Sequence, residues 1–127
     1  MAKVMVIGLD GGTFDLLMPW IKAGELPTLR SLMEHGFYGY LRSTIPMFTP
    51  TAWSTFMTGM NPGKHGITGF IVYDRRTGRT VVASSLNRRG EEIWTILSKH
   101  GRHVIVINVP MTYPPKPVNG ILISGFP

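Results

Sequence analysis

The 127-residue sequence predicts an α/β fold with a mostly parallel sheet, and three observations carry that reading. Lys3 to Leu9 and Arg102 to Val109 are nearly continuous apolar, β-branched runs, the pattern of strands buried on both faces. Between them lie stretches with apolar residues at helical spacing, several opening on proline and closing on glycine. The first run ends in Gly8-Leu9-Asp10-Gly11-Gly12, placing an acid at the carboxyl end of a strand, where ligands gather in open α/β sheets.

Taken in order, Asp10 has two readings: a ligand-facing acid whose following glycines let an ion or phosphate approach the backbone, or an ordinary Asp-Gly turn residue. No GxGxxG follows, so a dinucleotide site is disfavoured. Thr13 to Ala23 sets Phe14, Leu17, Met18 and Ile21 at helical spacing, with Pro19 as a kink and Gly24 as a stop. Pro27 to Gly36 predicts a second short helix with His35 as its C-terminal dipole partner, and Phe37 to Leu41 a short strand.

Phe48-Thr49-Pro50 then starts a helix with Thr49 as N-cap, burying Trp53, Phe56 and Met57 and ending at Thr58-Gly59. A hydroxyl at the positive end of a helix is a cap or a group that meets an anion. Asn61 to Gly66 is a loop, and Ile71 to Ala83 a hairpin with a polar tip at 74–79. A helix follows from Glu91 to His100, with acids in its first turn and Gly101 as its cap, crossing between parallel strands. Pro110 to Pro117 is irregular, and Gly120 to Gly125 is a further strand.

Composition narrows the function. With no cysteine, a disulfide scaffold, a thiolate zinc site, a cysteine nucleophile and a thiol redox centre are excluded. The formal charge of +6 is dispersed, with only Arg75-Arg76 and Arg88-Arg89 adjacent, so nucleic acid is a disfavoured partner. No apolar run approaches the length of a membrane span, and a soluble, cytoplasmic protein without membrane contact is expected.

Two motifs together resemble the N-terminal part of the alkaline phosphatase superfamily, in its type I phosphodiesterase and nucleotide pyrophosphatase branch. VMVIGLDGG is similar to the family's first strand, which ends in a metal-binding aspartate, and FTPTAWSTFMTGMNPGKHGI is similar to its nucleophile helix and the TG, P and HG signature after it. The resemblance implies a three-layer α/β/α, alkaline-phosphatase-like fold, of which residues 1–127 would be an N-terminal, incomplete part. It implies Thr49 as nucleophile, Asp10 and Thr49 as metal ligands, and His65-Gly66 as shaping the loop. Thr51 is the fallback nucleophile; Ser54 and Thr55 are weaker candidates.

The implied cofactors are two divalent ions, zinc first and manganese second, acting on a phosphorylated small molecule or nucleotide. The family draws further aspartates and histidines from well beyond its nucleophile helix. After Thr49 this sequence offers Asp74, Glu91, Glu92, His65, His100 and His103, none in a recognisable ligand pair, so an incomplete metal site and little turnover by the isolated chain are expected. The sulfatase pattern is missing, and cofactor-independent phosphoglycerate mutases use serine where Thr49 stands. The competing reading is a binding module that holds a phosphate ligand or nucleic acid without turnover; a third is self-association through exposed sheet edges.

Overall fold

The computed structural model describes residues 3–126. The chain divides into two compact units, the first ending at Arg42 and the second beginning at Ser43.

The first unit holds two helices. Helix α1, Phe14–Lys22, starts where the Thr13 hydroxyl accepts the Asp15 N–H at 3.3 Å, and runs through Pro19 without a break. Helix α2, Pro27–His35, opens on proline and carries an exposed Arg30–Glu34 pair one turn apart. His35 meets the Ser31 carbonyl through Nδ1 at 2.8 Å, in keeping with a C-terminal partner. Ile21 is buried, and Phe14 stands edge-on to Tyr38 and Tyr40.

Two expected strands are not formed: Lys3 to Leu9 and Phe37 to Leu41 carry no ladder, and Val4 to Ile7 are exposed. The reason is physical. Extended backbone becomes a strand only when a neighbour supplies its hydrogen bonds, and a fully apolar strand needs cover on both faces.

The second unit orders helix α3, Thr49–Thr58; helix α4, Pro62–His65; strands β1, Ile71–Asp74, and β2, Arg79–Val82; helix α5, Ile93–Lys99; and strands β3, Val104–Val109, and β4, Gly120–Ser124. Strands β1 and β2 pair antiparallel from Ile71↔Val82 to Asp74↔Arg79, closing the expected hairpin. Its tip is tied by Asp74, which accepts the Arg76 N–H at 2.9 Å and the Arg76 guanidinium; these bonds hold its carboxyl below the usual range.

Strands β3 and β4 pair in parallel from Val104↔Gly120 to Ile107↔Ile123, with a bulge between Ile107 and Val109 at Asn108. Parallel pairing demands a crossover, and here the irregular 110–119 segment supplies it in place of a helix. That segment is pinned by Ser85, whose Oγ donates to the Pro114 carbonyl at 2.8 Å, and by Asn119, whose Nδ2 donates to the Arg102 carbonyl at 3.1 Å.

The core joins these elements: Met57 from α3, Ile67, Val72 and Ala83 around the hairpin, Trp94 from α5, Val104 and Val106 from β3, and Met111 beyond it. Alternation along β3 sends Val104 and Val106 inward and Ile105 and Ile107 outward. The chain is thus α/β with one parallel and one antiparallel pair, in agreement with the predicted class.

The start of α5 differs from expectation. Glu92 is the N-cap and is buried, not a solvated first-turn acid. Its carboxylate pairs with the buried Arg88, accepts Lys116 Nζ at 2.9 Å and Thr95 Oγ1 at 3.0 Å, while Arg88 Nη1 donates to the Met111 carbonyl at 2.6 Å. Burial opposes the Glu92 charge, but the Lys116 hydrogen bond, its own backbone N–H and the two cations outweigh it and hold the carboxyl below its ordinary value.

Candidate active site at the start of helix α3

Helix α3 begins one residue earlier than the capping pattern predicts. Phe48 is the extended N-cap, with φ −124° and ψ 147°, and Thr49 is the first helical residue. The helix winds from there because Pro50 supplies a helical φ and has no N–H to lose in the first turn, while Ala52 N–H closes on the Phe48 carbonyl at 2.9 Å. Thr49 therefore still sits where the helix dipole is positive and the first N–H groups have no intrahelical acceptors.

The hydroxyls of α3 face different surroundings. Thr49 is half-buried. Thr51 and Ser54 are fully enclosed, and their hydroxyl oxygens have no hydrogen-bond partner among the described residues. Thr55 is bonded to His65, and Thr58 Oγ1 donates to the Ser54 carbonyl at 2.6 Å. Enclosure removes Thr51 and Ser54 from the reach of a substrate in this conformation.

Gly59 ends α3 in the left-handed region at φ +65°, its N–H on the Thr55 carbonyl at 2.8 Å. The expected loop after it contains helix α4, a single turn capped by Asn61, whose Oδ1 accepts the Lys64 N–H at 3.0 Å. Proline after asparagine is a helix-start signal at short range, and the turn it makes buries His65 completely.

His65 bridges α4 to α3. Nδ1 accepts the Ile67 N–H at 3.1 Å, so Nε2 carries the proton and donates to Thr55 Oγ1 at 2.9 Å. Burial, then the charges of Arg88 and Arg89, lower its pKa. The His65 carbonyl accepts the Arg89 N–H at 2.9 Å, and Arg89 Nη2 donates to the Gly63 carbonyl at 3.2 Å.

Asp10 lies in the first unit. It is exposed and occupies a turn in which Gly12 N–H meets the Leu9 carbonyl at 3.2 Å and Gly11 has φ +69°. That is the Asp-Gly turn geometry, with the glycine where a positive φ is required. Thr49 lies in the second unit.

The type I phosphodiesterase / nucleotide pyrophosphatase family matches the sequence over residues 4–123. The chain belongs to that family. It is thereby a member of the alkaline phosphatase superfamily, and both the Asp10 strand motif and the α3–α4 signature lie inside the matched span. No solved structure matches the chain.

The phosphodiesterase family typically depends on metal ions. Among the described residues no three His, Asp or Glu side chains gather where they could hold one. Glu92, the buried N-cap of α5, is committed to Arg88 and Lys116, and Asp74 to Arg76.

Sequence reasoning missed the Arg88–Glu92 pair near this helix. Arg88 and Glu92 stand at i, i+4 spacing, a detectable pairing signal, but nothing in the sequence says that the pair is buried. His65 was expected to shape the loop; its complete burial and its bonds to Thr55 and Ile67 were not readable from the Asn-Pro start.

Proposed function

We propose that this chain serves phosphoric-ester hydrolysis and that Thr49 is the nucleophile. The observation that supports the reading is the sorting of hydroxyls along α3: Thr49 is the half-buried one at the helix start, while Thr51 and Ser54 are enclosed and Thr55 is engaged by His65. In-line attack would form a bond from Thr49 Oγ1 to phosphorus and break the ester P–O bond, with the alkoxide leaving. The Thr49 proton must be lost and the leaving oxygen must gain one; the phosphothreonine is then released by water. First-turn N–H groups of α3 stabilise the charge that develops on the phosphoryl oxygens.

Asp10 and Thr49 are each proposed as a ligand of a divalent ion, zinc or manganese, which would supply Lewis-acid chemistry. The substrate class is a phosphorylated small molecule or a nucleotide. In the intact protein, assayed with zinc or manganese on a chromogenic phosphodiester, Thr49→Ala should lower kcat at least ~10³-fold. Unchanged turnover removes Thr49, and turnover lost instead in Thr51→Val would move the role to Thr51.

A further inference from the structure

His65 is the only fully buried histidine among the described residues, and every atom that could ionise is committed. Its Nδ1 lone pair takes the Ile67 N–H, and its Nε2–H reaches Thr55 on the helix that begins with Thr49. Its carbonyl holds Arg89, whose side chain returns to Gly63. We infer that His65 is an acid-labile latch: neutral, it fastens α4 and the Arg89 segment to helix α3, and protonation at Nδ1 releases them.

The chemistry follows from the donor count. A second ring proton converts Nδ1 from acceptor to donor, so it would face the Ile67 N–H donor to donor, in a site closed to water. The charged groups facing the ring are both cations. Arg88 and Arg89 come from the segment before α5, Lys64 on α4 is exposed, and α3 contributes no ionisable side chain. Glu92, which would temper Arg88, already accepts both Arg88 and Lys116. Nothing nearby welcomes an imidazolium, and a release would free the C-terminal half of α3, where Thr55 and the Gly59 cap lie.

The latch does not depend on Thr49 being a nucleophile, and its test involves no turnover. The side-chain nitrogens of His65 are followed by NMR from neutral to acid pH in the intact chain, together with hydrogen exchange of the Ile67 amide. At neutral pH His65 should show the Nε2–H tautomer. It should titrate at lower pH than the same residue in the urea-unfolded chain. As pH falls from the unfolded-chain midpoint to the folded one, the Ile67 protection factor should fall about tenfold per pH unit, as one linked proton requires, and level off below the folded midpoint.

His65→Asn keeps an acceptor near the Nδ1 position that cannot titrate, and should hold Ile67 protected through the same range. A His65 midpoint equal to the unfolded value overturns the latch. So does an Nδ1–H tautomer, or an Ile67 protection that falls outside the window between those two midpoints. If His65→Asn does not fold, the fall of Ile67 protection in the natural chain, confined to the window between the unfolded and folded His65 midpoints, decides alone.

Discussion

At the scale of single residues, burial separates groups of the same chemical type. Glu91 and Glu92 are adjacent acids, each paired with a cation, yet the Glu91–Lys99 pair is exposed while Arg88 and Glu92 are 1% and 3% accessible. Removing one partner of a buried pair strands the other, at about 3–5 kcal/mol, whereas an exposed pair contributes about 0–1 kcal/mol. Glu92→Gln should therefore lower the urea midpoint strongly, while Glu91→Gln should barely move it. The spacing of these charges is readable in the sequence, but which pair is enclosed depends on Met111 and Lys116, which approach from beyond β3. Likewise the capping pattern located the Thr49 hydroxyl to within one residue, and only packing showed that Thr51 is enclosed.

Among elements, α3 and the β3–β4 pair carry the second unit. Met57 is 1% exposed in the core cluster that also holds Trp94 of α5 and Val72 of β1, so Met57→Ala should cost about 2–5 kcal/mol. Gly120 opens β4 at φ +142°, and a Cβ there would collide with the Val104 carbonyl opposite it in the parallel register. Gly120→Ala should destabilise by more than about 2 kcal/mol, with amide protection lost first along β3 and β4. The helices α1, α2, α3 and α5 and the hairpin were legible because their signals are local: caps, prolines, glycines and side-chain periodicity. Strands at Lys3 to Leu9 and Phe37 to Leu41 were expected from the same kind of pattern and did not form, because a strand is completed by residues outside itself.

For the whole molecule, acid is the weak side. His65 and Glu92 both have pKa values lowered in the fold, so the folded chain binds fewer protons than the unfolded one and stability rises with pH. The His65 contribution is complete above the ordinary histidine value of about 6.5 and is lost as pH falls below it; the Glu92 contribution is lost only below the ordinary glutamate value of about 4.3. Urea midpoints should decline in two stages from about pH 7.5 to about pH 3.5, and His65→Asn should remove the first stage. The two units should also differ. Ile21 is the buried residue of α1 and α2, whereas the second unit encloses a cluster from Met57 to Met111, so amides before Arg42 should exchange faster than those of β3.

The sequence by itself determined the family, the α/β class, the helix that begins at Thr49 and the Asp-Gly turn at Asp10, because each is written in a contiguous run of residue types. Tertiary structure alone decided that His65 is a buried neutral bridge, that Arg88 and Glu92 form an enclosed pair, and that β3 and β4 meet through an irregular crossover. Those outcomes turn on desolvation and on partners far along the chain: Thr55 for His65, Met111 for Arg88, Val104 for Gly120. A local pattern names the groups that can pair, and only the fold sets which of them are taken out of water.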